Sequence, residues 1–209
     1  MTPLPRALLA LTPDQPIPAN RRGVLVPAAQ ISETDIDGAI VVVKTDSDIA
    51  TLQKALTAGA AMIALAGCRT GADLQRLATL LPVAEAQTGR TEGSISILAM
   101  TDGILPAPGA REGLAGKSKR LAGLVWDQRR LVSALGATRM RTESGEWLPP
   151  FSTARAATLL TAAAASVPAY DSAFDLDDEA FARAYEQSRG EGFFGLITAT
   201  ATQTAFKGR

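Results

Sequence analysis

Residues Leu121–Phe174 read LAGLVWDQRRLVSALGATRMRTESGEWLPPFSTARAATLLTAAAASVPAYDSAF. The first six, Leu121–Trp126, are apolar in every position, the pattern of a strand buried on both faces. Asp127 then precedes a short charged helical segment, Gln128–Leu135. A loop carrying Gly145, Trp147, Pro149 and Pro150 follows. An alanine-rich stretch with Ser152 or Thr153 as its expected cap runs on to Ser166, and a second apolar run, Val167–Tyr170, ends at Asp171. Strand, helix and strand in that order form the βαβ unit from which parallel sheets are built.

Working outward, similar runs occur at Ala7–Leu11, Gly23–Val26, Gly38–Val43, Ala61–Ala66, Ser94–Met100 and Phe193–Thr198, which makes eight expected strands. Helical patterns lie between the later ones. Thr45 and Asp48 form a capping-box-like start before Ile49, Leu52 and Leu56, and Gly59 ends that segment. Gly71–Thr88 carries Leu74, Leu77, Leu80 and Leu81, with an expected kink at Pro82 and a stop at Gly89. Asp177 and Asp178 precede Phe181 and Tyr185 at i, i+4 spacing. Eight strands alternating with helices predict a (β/α)8 TIM-like barrel over residues 1–209 as a single domain. Only Thr12–Arg22 and Pro27–Asp37 separate the first three strands, less than a parallel crossover usually takes. The barrel is therefore expected in reduced form, its first outer helices missing or very short.

Composition narrows the function. The chain has 209 residues, 46% hydrophobic, with 21 basic and 21 acidic side chains. Such a balance points to neither nucleic acid nor an anionic membrane, and Lys117–Arg120 is read as the solvated end of an element. There is no histidine, which excludes Ser-His-Asp and Cys-His catalysis and leaves zinc a single cysteine ligand. That cysteine, Cys68, has no partner for an intrachain disulfide. With no apolar run long enough for a signal core or a membrane span, a cytoplasmic location is expected.

Several pieces of the chain resemble the citrate lyase β-subunit-like group, the HpcH/HpaI aldolases. Gly145–Phe151 (GEWLPPF) with Arg155 keeps that family's Trp-Pro-Pro-Phe spacing. Val167–Asp171 resembles its "VPAID" strand, Gly59–Leu65 its "AGADGIVLPK" strand, Asp73–Leu77 the helix after it, and Ile95–Asp102 the strand that ends in a metal-binding Glu. Gly195 and Gln203 bracket the place of its "GKLAIHPAQ" segment, and the resemblance as a whole covers roughly Asp37–Gln203. The resemblance implies Mg²⁺-dependent C–C lyase chemistry on a small carboxylate or an acyl-CoA thioester of the malyl, citramalyl or citryl kind. It also implies an oligomer, formed by this chain alone or with an intact paralogue. The function-bearing positions differ, however. Where the family has a Glu-Asp pair whose Asp holds the metal, this chain has Arg129 and Arg130. Gly67 stands at the family lysine, Val42 at a carboxylate-binding arginine, and Thr200 at a histidine. The acidic "LEDAV" strand has no counterpart between Arg22 and Asp37.

In such a barrel, residues past the C-terminal strand ends face the active-site mouth: here Lys44, Cys68, Asp102, Asp127, Arg130, Asp171 and Thr198. Asp102 is expected either as a Mg²⁺ ligand or as a helix cap, and Asp127 either as a replacement ligand or as the cap of Gln128–Leu135. Arg130 is expected to pair with Asp102 in place of the cation, or else to face solvent. Lys44 is a candidate Schiff-base lysine or an exposed charge, and Cys68 an activated thiolate or a small buried residue. The expectation is a divergent citrate lyase β-like protein with a degraded metal site, acting as a non-catalytic subunit or ligand-binding relative. A Mg²⁺-dependent lyase is the alternative. If missing helices leave the front strands bare, an interface is expected to cover the face near residues 12–37.

Overall fold

The computed structural model describes residues 4–31, 36–108 and 110–204. Eight parallel strands close into a barrel in sequence order: β1 (Ala7–Ala10), β2 (Val24–Pro27), β3 (Ile40–Lys44), β4 (Met62–Ala66), β5 (Ser96–Thr101), β6 (Leu121–Trp126), β7 (Ala169–Ser172) and β8 (Gly195–Thr198). Each falls within or beside one of the expected apolar runs. The reason is visible in the packing, because successive side chains go to opposite faces and both faces are buried. Leu8, Leu25, Ile40, Met62, Leu98, Val125, Tyr170 and Ile197 fill the barrel interior. Leu9, Val24, Val41, Ile63, Ile97 and Leu124 point outward into a second core. The seam closes through β1 and β8, where Leu196 N–H donates to the Arg6 carbonyl at 2.9 Å. A Cβ at Gly195 would run into that carbonyl, so the seam needs glycine there.

The outer layer comprises α1 (Ile49–Thr57), α2 (Gly71–Gln87), α3 (Gln128–Leu135), α4 (Pro149–Ala164), α5 (Asp178–Glu191) and α6 (Ala201–Thr204). Two helix starts differ from expectation. The α1 cap is Asp48 rather than Thr45, its carboxylate accepting from Thr51 N–H at 2.9 Å. The α4 helix begins at Pro149, before Ser152 and Thr153, with Leu148 in the cap position. Proline is favoured in the first turn because its missing N–H would have no partner there. The α2 helix has a reciprocal capping box between Thr70 and Asp73 and runs as one helix past Pro82.

The front of the barrel has no outer α-helix, as expected; β1 leads to β2 by loop, and β2 to β3 past a 3₁₀ turn at Ala28–Gln30. A third gap lies between β5 and β6, where the sequence carries no helical pattern. The strands are not bare at these places. Ile17, Ala28, Ile31 and Ile36 pack over the front strands, and Leu105 and Leu114 join the same outer core from the β5–β6 connection. The outward residues Leu9, Val24 and Val26 are buried within the chain. The uncovered sheet that would have called for an interface near residues 12–37 is thus absent among the described residues. No helix among them is long and apolar enough to cross a membrane.

Candidate ligand site at the barrel mouth

Side-chain parity decides which strand-end residues reach the mouth. Leu98 and Met100 face inward on β5, as does Val125 on β6. Two residues further along, Asp102 and Asp127 continue those inward rows at the C-terminal rim. Asp171 and Thr198 have the opposite parity and turn away. The Asp171 carboxylate lies under α4 and α5, where Arg155 Nε donates to it at 2.7 Å and Ser188 Oγ at 2.6 Å. Thr198 is fully buried and bonded to Gln203. Cys68 belongs to the outer core; burial, with Asp73 adding to it, pushes its thiol up to about 12. That is the state of an inert thiol, not of an activated thiolate. At the rim itself, Lys44, Thr45, Asp46, Gly67, Arg69, Asp102, Arg130 and Ser133 line a cleft of about 530 Å³. The structure therefore brings Lys44, Asp102 and Arg130 to one cleft, with Asp127 beside it.

Asp102 is nearly fully buried, and its partner is Arg69 rather than Arg130. Arg69 Nε donates to Asp102 Oδ2 at 2.9 Å and Nη2 bonds the same oxygen. Asp102 Oδ1 accepts from Ile104 N–H at 3.0 Å. That hydrogen bond and charge raise the Arg69 guanidinium above its ordinary value. Nothing in the sequence singled out this pairing, because Arg69 comes from the loop after the neighbouring strand. Asp127 caps α3 by accepting from Arg129 N–H at 3.2 Å. It also receives the Arg129 side chain through Nε at 3.0 Å and Nη2 at 3.1 Å. The Arg129 guanidinium lies 3.6 Å over the Phe174 ring. Arg130 sits farther out, its Nε 3.9 Å from Asp127 Oδ2.

The Trp-Pro-Pro-Phe segment supports this rim from behind. Trp126 donates its Nε1–H to the Asp102 carbonyl at 3.2 Å. Trp147 meets Trp126 edge-on at 5.1 Å between centroids and stacks on Phe151 at 6.4 Å. These side chains hold the Asp102 loop and touch no part of the cleft, which makes the most family-like piece of the chain a structural one.

These residues are not a Mg²⁺ donor set as they stand. Mg²⁺ needs oxygen atoms in a tight octahedron, usually one or two carboxylates plus waters. Each oxygen of Asp102 and Asp127 already accepts from a protein donor, and each carboxylate is paired with an arginine. Among the described residues no three His, Cys, Asp or Glu side chains gather as a metal cluster. A cation binding these carboxylates would compete with Arg69 and Arg129.

A parallel eight-stranded barrel with its charged residues at the C-terminal rim is the layout of TIM-barrel proteins. Within that class the chain has the citrate lyase β-subunit fold. It matches the Mycobacterium tuberculosis citrate lyase β subunit, solved with oxaloacetate and magnesium, at TM-score 0.73 and 17% identity, over 97% of this chain and 94% of that one. The CitE protein of the same organism, solved with magnesium and acetate, matches at 0.72 and 16%, over 97% and 88%. RipC from Yersinia pestis matches at 0.67 and 18%, over 96% and 92%. No protein-family model matches the sequence, and no curated protein does. Identities this low speak for the fold alone.

Proposed function

We propose that this chain is a non-catalytic relative of the citrate lyase β-like barrels that binds a small carboxylate at its mouth without a metal. The observation that carries this reading is that both rim carboxylates, Asp102 and Asp127, are neutralised by the chain's own arginines, Arg69 and Arg129. Cleaving a C–C bond beside a carbonyl passes through an enolate, which needs positive charge fixed at its oxygen. In this rim the charge that a metal would supply is instead carried by guanidiniums tied down to aspartates. A fold shared with lyases gives no chemistry by itself. Assembly with a second copy or an intact paralogue, and a cytoplasmic location, belong to the same reading.

The Mg²⁺-dependent lyase is a second reading with one observation in its favour: Asp102 and Asp127 end adjacent strands on the inner side of the barrel. Calorimetric titration of Mg²⁺, paired with a lyase screen on malyl-, citramalyl- and citryl-CoA, separates the two. The expected result is no Mg²⁺ binding and no cleavage. Binding that disappears in Asp102→Asn, together with cleavage of any of these thioesters, would establish the lyase instead.

A further inference from the structure

The cleft carries two cations, Lys44 and Arg130, that no carboxylate among the described residues holds at hydrogen-bond distance. Lys44 is exposed at the end of β3, and no ion pair forms at its ammonium among the described residues. Arg130 keeps one long ion pair, its Nε 3.9 Å from Asp127 Oδ2, an oxygen that Arg129 Nη2 already holds at 3.1 Å. The other guanidiniums nearby are engaged: Arg69 with Asp102, Arg129 with Asp127, and Arg76 with the Thr45 carbonyl at 3.2 Å. Of the acidic residues lining the cleft, Asp102 is taken by Arg69, and Asp46 pairs with neither Lys44 nor Arg130.

The two cations reach one cleft by a route the sequence hides. Arg130 belongs to α3 after β6, but its side chain reaches back over the end of β4. A Cβ placed on Gly67 would lie 3.2 Å from Arg130 Nη1 and 3.9 Å from Cζ. Gly67, at φ +79°, leaves that space open. Ala66, the residue before it, is in register with Lys44 on β3, and adjacent strands run about 4.8 Å apart. The ammonium and the guanidinium thus rise from neighbouring places on one concave rim. Like charges on one cleft wall repel, and an anion between them offsets that repulsion. Arginine presents a planar fork that matches one carboxylate, and lysine a point charge that suits a second.

We infer that Lys44 and Arg130 form a metal-independent site for a short dicarboxylate, Arg130 gripping one carboxylate through its terminal nitrogens and Lys44 the other. The inference rests on the reading that the mouth works without a metal. The test is calorimetric titration of the whole chain with malonate and succinate in the presence of EDTA, with acetate and inorganic phosphate alongside. Malonate or succinate is expected to bind, acetate more weakly. Arg130→Gln and Lys44→Gln are each expected to weaken the dicarboxylate roughly tenfold to a hundredfold, the worth of one charge-assisted hydrogen bond. Thermal unfolding of both variants is expected to match wild type, since both side chains are exposed. Affinity for malonate unchanged in both variants overturns the assignment, and phosphate binding as tightly as malonate overturns the ligand class. Malonate binding that needs Mg²⁺ overturns this inference and the metal-free reading together. No dicarboxylate binding, with Mg²⁺ also unbound, overturns this inference alone.

Discussion

A buried carboxylate is stable as an anion only where its partners outweigh the loss of water, and Glu85 shows the balance. It lies on α2 with no exposed surface. It accepts from the N–H groups of Ile95 at 2.8 Å and Gly93 at 2.9 Å, and from Arg120 Nη1 at 2.9 Å and Nη2 at 2.8 Å. Burial pushes its carboxyl up; the Arg120 hydrogen bonds, then those backbone donors, outweigh burial and hold it below the ordinary 4.5. A group with a depressed folded value stabilises fully above its unfolded value, and loses that contribution as pH falls through the folded one. Glu85→Ala is therefore expected to cost about 3–5 kcal/mol near neutral pH, because it strands the mostly buried Arg120. The gap to wild type in urea unfolding should narrow as the pH drops below about 4.5. An equal gap at neutral and acid pH would show that the pair is not the source. Of the rim, the sequence disclosed what strand ends could disclose: Asp102 and Asp127 each follow an apolar run, and both were candidates on that ground; that they continue inward rows is legible only in the structure. The Arg69–Asp102 pair spans 33 positions and joins two loops. Arg130 lies over Gly67 only because α3 starts where it does. Neither contact has a local signal.

At the scale of elements, Arg155 ties three of them together. From α4 it reaches Asp171 on β7 at 2.6 Å, Ser188 on α5 at 3.3 Å, and Glu191 at the end of α5, with its guanidinium 4.8 Å from the Phe193 ring. Burial works to lower the guanidinium's value, yet its bonds to Asp171 and Glu191 prevail and raise it. Removing one member of such a cluster leaves the other charge buried. Arg155→Ala is expected to destabilise by about 3–5 kcal/mol in urea unfolding, and Arg155→Lys to recover only part, since an ammonium cannot reach Asp171, Ser188 and Glu191 in one plane. A lysine variant as stable as wild type would reduce the cluster to a simple charge pair. The sequence placed Asp171 at the mouth because it follows an apolar run. The inward turn of the bulky Tyr170 settles the parity the other way. Strands were legible throughout, as runs apolar on both faces. The start of α4 was not, because Pro149 and Pro150 were read as loop residues when they open a helix, and the helix-free β5–β6 connection left no periodic mark to miss.

For the whole molecule, the barrel keeps its closure while shedding outer helices, because loop residues such as Ile17, Ile31 and Leu114 do the covering. The rim is then free to change its chemistry without unsettling the fold, and stability becomes a gauge of what the rim binds. A ligand that binds only the folded state adds stability by mass action, about 2.7 kcal/mol when it is present at a hundred times its dissociation constant. For a chain of this size each kcal/mol moves the melting temperature by about 2–4 °C. A Mg²⁺ site of the kind a lyase needs would therefore raise the melting point by roughly 5–10 °C in saturating Mg²⁺. The expected shift for the wild-type chain is none, because Arg69 and Arg129 already occupy the two rim carboxylates. Arg69→Ala removes the guanidinium from Asp102 and leaves a buried anion whose remaining donor among the described residues is the Ile104 N–H. That variant is expected to melt below wild type and to regain part of the loss when Mg²⁺ is added, a response that wild type lacks. Equal Mg²⁺ stabilisation of both proteins would mean that a cation reaches the rim without displacing Arg69. The neutralised rim would then no longer be a reason to set the lyase aside.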